Sequence, residues 1–84
     1  MRFYYITFRS VTFAQRGEQI LQSAGIRCTL QRTPRWMEEQ GCGYCLRIWT
    51  EDVSRSVELL RKNRVNMRRV YVQKGDGQLE AVEL

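Results

Sequence analysis

Residues 42–62, CGYCLRIWTEDVSRSVELLRK, change period halfway along, and that change decides the fold. Tyr44, Leu46 and Ile48 alternate with Cys45, Arg47 and Trp49 in an aromatic and branched run, the pattern of a half-buried strand. From Thr50 the spacing turns helical, with Val53, Val57 and Leu60 forming one stripe. Thr50 is the expected helix cap. Glu51 and Asp52 fall in the first turn and Arg61 and Lys62 in the last, where the helix dipole favours each sign.

A strand and helix of the same kind precede this unit. In Phe3-Tyr4-Tyr5-Ile6-Thr7-Phe8, Tyr4, Ile6 and Phe8 fall on one face and Phe3, Tyr5 and Thr7 on the other. Ser10 is a helix cap, Ala14, Gly17, Leu21 and Ala24 follow at helical spacing, and Gly25 stops the helix. Ile26, Cys28 and Leu30 then define a second strand that Pro34 ends, and residues 35–43 have no period and read as a loop. A fourth strand spans about Met67 to Gln73, with Val70 and Val72 on one side. Gly75-Asp76-Gly77 turns into a short last strand, through Leu79, Ala81 and Glu83 or, in the shifted register, through Val82 and Leu84. The order βαββαβ plus a tail predicts an α+β, ferredoxin-like sandwich: one antiparallel sheet with two helices on one face, over residues 1–84 as a single domain.

Composition limits the chemistry. The 84 residues contain no His, so Ser-His-Asp and Cys-His pairs, imidazole proton shuttling and His metal ligation are excluded. Three Cys leave a tetrahedral zinc one ligand short, so no metal and no cofactor is expected. No apolar run is long enough to span a membrane and no signal-peptide pattern opens the chain; the expectation is a cytoplasmic, reducing compartment in which the cysteines are thiols. The net charge is +5. Residues 1–35 hold six bases and one acid, residues 36–84 eight of each, and twelve of the fourteen bases are Arg, suited to bidentate capture of carboxylate or phosphate.

The loop carries Cys42 between Gly41 and Gly43. A thiolate is the nucleophile in sulfur transfer, and free Cys titrates near about 8.5, so such a cysteine needs amides or cations to lower that value. Gly41 and Gly43 allow backbone N–H groups to turn towards Cys42, and Arg35 and Arg47 are the candidate cations at nearby strand ends. Cys42 and Cys45 also form Cys-Gly-Tyr-Cys, as in dithiol redox proteins. Here a strand, not a helix, follows the motif, and three extended residues span about 10 Å, too far for a disulfide without a tight turn at Gly43-Tyr44. With that turn, Cys45 could act as a resolving thiol.

Taken together, Phe8-Arg9-Ser10, Ala14, Glu18, Gly25-Ile26, Pro34-Arg35, Cys42-Gly43 and Leu46-Arg47 resemble the selenium/sulfur carrier protein-like family, over residues 3 to about 65. The resemblance implies a carrier, not a self-sufficient enzyme. Cys42 would accept sulfur or selenium as a persulfide or selenosulfide from a cysteine desulfurase-type donor and pass it to an acceptor protein. The chain departs from the family pattern at Cys45 and in a longer loop at residues 36–40.

Other readings concern the sheet face away from the helices, where Phe3, Tyr5, Arg47, Trp49, Arg69 and Tyr71 are expected together. Aromatics among arginines suit stacking on single-stranded RNA, and residues 40–47 partly echo the third-strand signature of RNA-recognition modules. A homodimer through that face is the simpler expectation. Cys28 reads as a small core residue, Glu18 as a helix partner for an Arg, and Arg61-Lys62 and Arg68-Arg69 as solvated. Trp36 reads as a docking residue or as a cover over the domain edge.

Overall fold

The structure, a computed structural model, describes residues 3–33, 43–73 and 79–82. Strand β1 (Phe3–Phe8) leads into helix α1 (Val11–Ser23), then β2 (Cys28–Arg32), β3 (Tyr44–Trp49), α2 (Val53–Lys62), β4 (Met67–Gln73) and β5 (Leu79–Val82). The strands form one antiparallel sheet in the order β2-β3-β1-β4-β5. Its first four members have the strand arrangement of a ferredoxin-like sandwich, and β5 extends the β4 edge.

Alternation fixes which face the helices cover. Ile6, Phe8, Leu46, Ile48 and Val70 bury against Ala14 and Leu21 of α1 and Val53, Val57 and Leu60 of α2. The opposite parity gives Tyr5, Cys45 and Tyr71 a second, smaller cluster on the other face, with Phe3 against it. Register settles the last strand as well. Val82 lies opposite Val70 and packs on the main core, so the shifted register is the one adopted; the turn at residues 75–77, Glu83 and Leu84 lie outside the described residues.

Ser10 caps α1 as expected, its Oγ accepting the Phe13 N–H at 3.2 Å. Thr50 does not cap α2. A 3-10 turn over Thr50–Asp52 runs into the helix, Asp52 takes the cap position with right-handed backbone, and its side chain makes no capping bond. The Ser56 hydroxyl, fully buried in the α2 stripe, donates to the Asp52 carbonyl at 2.6 Å. The second strand begins at Cys28 because Ile26 is used to close α1.

Both helices close in the same way. Ile26 N–H reaches back to the Leu21 carbonyl and Gly25 N–H to that of Gln22; Val65 and Arg64 repeat the pattern on Leu60 and Arg61. This six-to-one, five-to-two pairing requires a left-handed residue just past each helix. Gly25 supplies it after α1 at φ 78°, and Arg64 supplies it after α2 at φ 58°. An L-residue there costs about 1–2 kcal/mol that a glycine would not.

The register of β1 on β4 shifts between Thr7 and Phe8: Thr7 faces Arg69, Phe8 faces Met67, and Arg68 is the extra residue of a bulge. Thr7 Oγ1 spans the irregularity, accepting from Arg69 N–H at 3.1 Å and donating to the Arg69 carbonyl at 3.3 Å.

Candidate functional site

The chain direction of each strand brings the ends next to the cysteine loop to one end of the sheet. Arg32 at the end of β2 pairs with Tyr44 at the start of β3, and Phe8 at the end of β1 pairs with Met67 at the start of β4. The N terminus of α1 opens at this end, with no acid in its first turn, and α2 runs towards it. The positive end of one helix dipole therefore faces the same region as the loop root.

Gly43 forms that root. Its φ of 81° is left-handed, which gives glycine a real role here, and its carbonyl accepts the Thr33 N–H at 2.8 Å, closing the ends of the β2–β3 connection. The Arg32 guanidinium lies over the Tyr44 ring, 5.4 Å from its centroid. Arg35, Trp36, Gly41 and Cys42 lie outside the described residues.

Arg47 lies over an aromatic ring on the outer face of the sheet. Its guanidinium sits 4.5 Å from the Phe3 ring centroid, and Phe3 packs on Trp49 with ring centroids 4.2 Å apart. These three line a recess with Cys28 at the opposite end of the sheet, since Arg47 is about 10 Å along the strand from Tyr44. Among the described residues, Arg32 is a cation at the root.

The other two thiols are distinct environments. Cys45 is fully buried beside Tyr5 and Tyr71, within a strand that pairs it with Thr7 and Gln31. Cys28 packs against the main core and donates to the Glu18 carbonyl at 3.9 Å. Burial, and secondarily the Glu18 carboxylate, push its thiol up to about 11.

That shift has a measurable consequence. Cys28 is neutral when protonated, and its folded pKa exceeds the unfolded value of 9.0, so its contribution to stability is complete below pH 9 and lost as pH rises towards 11. The loss, discounted for the part of the side chain in contact with solvent, is about 1 kcal/mol. Urea titrations of wild type and Cys28→Ala at pH 8 and pH 10.5 measure it: the gap between the two proteins should narrow at the higher pH. An unchanged gap would refute the assignment.

The outer face is only partly open. The register does place Phe3, Tyr5, Arg47, Trp49, Arg69 and Tyr71 on one side, but Tyr5 and Tyr71 are only 9% and 8% exposed. Phe3 and Trp49 on the same face are half-buried and border the recess with Cys28. Among the described residues, Val11 at the start of α1 is the exposed large hydrophobic. No described helix is long and apolar enough to cross a membrane.

Fold and sequence together define the class: a ferredoxin-like α+β domain whose β2–β3 connection, rooted at Thr33 and Gly43 at one sheet end, carries a glycine-flanked cysteine in its sequence. The family described as "Putative Se/S carrier protein-like" matches residues 3–72, and the chain belongs to that family. No curated protein matches it.

Sequence reading missed one feature of this end. Arg61, Arg64, Arg68 and Arg69 line a common cavity instead of standing as separately solvated side chains. Four arginines within nine residues were the available signal.

Proposed function

We propose that the chain carries sulfur or selenium on Cys42, receiving it from a cysteine desulfurase-type donor and delivering it to an acceptor protein. The observation that carries this reading is the family match, which spans the cysteine loop. The surroundings of the other thiols support the choice of Cys42, since Cys45 is enclosed and Cys28 is held protonated.

The step needs no histidine. The Cys42 thiolate attacks the outer sulfur of a donor persulfide; the donor's S–S bond breaks, a new one forms on Cys42, and the donor leaves as a thiolate. One S–S bond is exchanged for another, the outer sulfur keeps its proton, and there is no net oxidation. Arg32 and the α1 N terminus, at the same end of the sheet, favour the anionic form of a thiol there. Delivery reverses the roles, with the acceptor's thiolate attacking the outer sulfur.

Intact mass spectrometry after incubation with a cysteine desulfurase and cysteine tests this. One added sulfur atom, removed again by dithiothreitol, is expected; an unchanged mass would sink the proposal.

A further inference from the structure

Among the described residues, β2 has a sheet neighbour on one side, β3, and its register with that neighbour runs from Cys28 opposite Ile48 to Arg32 opposite Tyr44 without a bulge. Thr33 N–H donates to the carbonyl of Gly43 facing it, so this pair is one of the hydrogen-bonded pairs of the ladder. Such pairs alternate along antiparallel strands. Thr29 and Gln31 therefore turn their backbone groups to β3, while Cys28, Leu30 and Arg32 turn theirs outward, where no described strand meets them.

Edge strands are commonly blunted by a proline, a bulge or a charge within the strand. The segment Cys28-Thr29-Leu30-Gln31-Arg32 has no proline and no bulge, and its one charge stands at the last position. Leu30 packs on the main core yet stays half-buried, which leaves an apolar side chain at the middle of the open edge.

This edge is complementary to itself. In an antiparallel copy centred on Leu30, Leu30 faces Leu30 and Cys28 faces Arg32 at both ends, so each outward residue meets an outward residue and exchanges both backbone bonds with it. Centring on Thr29 or Gln31 instead leaves one of the three outward residues without a mate in the strand. In the Leu30 register the two half-buried leucines meet at the symmetry axis on the helix side, and Thr29 meets Gln31 on the other face. The charged Arg32 faces an uncharged residue and not its own copy, as a two-fold contact requires.

We propose that two copies of the chain pair through β2, centred on Leu30, and join their sheets into one. The pairing is independent of what Cys42 carries. It also completes a site between the copies. The recess lined by Phe3, Cys28, Arg47 and Trp49 opens at the start of β2, and the mate of Cys28 is Arg32 of the second copy. Each chain thus lends the other's recess an arginine from the root of its own β2–β3 connection.

The unmodified chain is tested by sedimentation equilibrium and by amide hydrogen exchange at about 0.15 M salt, which screens the net charge of +5 on each copy. Twice the mass of one chain is expected, and in that dimer the outward amides of Leu30 and Arg32 should be protected to within about tenfold of the inward amides of Thr29 and Gln31. Two double variants test the register, since residues 29 and 31 face each other across the interface with their side chains on the outer side. Thr29→Glu with Gln31→Glu sets like charges opposite each other and should raise the dissociation constant at least about tenfold; Thr29→Glu with Gln31→Lys sets opposite charges there and should return it to within about threefold of wild type. A chain that stays monomeric up to its solubility limit, a dimer in which the Leu30 amide exchanges freely, or two double variants with equal dissociation constants overturns the proposal. The exchange measurement uses the wild-type chain, so it decides the matter even where a variant fails to fold.

Discussion

Replacing Cys42 by Ser is expected to abolish sulfur uptake, while Cys28→Ser and Cys45→Ala continue to load. The contrast comes from what each thiol can do near pH 8. With a pKa of about 11, Cys28 is a thiolate only about one part in a thousand at that pH, and its proton points to the Glu18 carbonyl. Cys45 is fully buried, so an incoming sulfur meets Tyr5 and Tyr71 before it meets the thiol. A serine hydroxyl at position 42 neither ionises in this range nor retains a sulfane sulfur, so the loss is complete rather than partial. Cys45→Ala removes one buried sulfur atom from the smaller cluster and should cost about 1 kcal/mol of stability without touching uptake. Intact mass of each variant after exposure to donor decides the matter. Uptake surviving in Cys42→Ser, or lost in Cys28→Ser, would assign the chemistry to another thiol.

The same comparison shows why a three-residue spacing is a poor guide to dithiol chemistry. Cys42 and Cys45 look like a redox pair in one dimension, and Gly43 does adopt the left-handed conformation that a tight turn requires. Yet Cys45 is already committed to a strand, paired on both sides and enclosed on the face away from the helices. Its parity in the strand was legible beforehand; its complete burial was not, because the face it occupies was read as open.

Much of the fold was written in local patterns. Ser10, Gly25, the alternation in Phe3–Phe8 and Tyr44–Trp49, and the stripe of Val53, Val57 and Leu60 each have a short-range cause, and each is found in place. What failed to show in advance depends on partners distant in sequence. The bulge at Arg68 exists only against β1, so the convergence of Arg68 and Arg69 on one cavity has no local signature. The contact of the Arg47 guanidinium with the Phe3 ring, 44 residues away, likewise has no local signature. The cap of α2 moved from Thr50 to Asp52 because a 3-10 turn intervened, a choice that the acidic pair Glu51-Asp52 permits but does not announce.

Gly17→Val is expected to be the most damaging single core substitution of this kind. Gly17 recurs with Ala14 and Leu21 on the α1 stripe, but its reason for being glycine lies across the core. A Cβ built there would stand 3.3 Å from each of three side chains: Leu46 of β3, Leu60 of α2 and Phe8 of β1. All three are fully buried, so none can swing out into solvent to make room. Alanine would gain about 1 kcal/mol of helix propensity and lose a comparable amount in compression, so Gly17→Ala should fall within about 1 kcal/mol of wild type. Valine adds two further methyl groups to the same close-packed contact and a branched side chain to the helix, for an expected loss of about 3 kcal/mol. A chain of this length is stabilised by only about 4–13 kcal/mol, so the variant forfeits a large share of its stability. At about 4–8 °C per kcal/mol, the melting temperature should fall by roughly 12–24 °C in a thermal scan followed by circular dichroism. A shift below about 4 °C would mean that α1 can move off the sheet without cost. The helix would then not be held rigidly by the Gly17 contact, and the position of its N terminus at the sheet end that holds Gly43 would have to be attributed to other contacts.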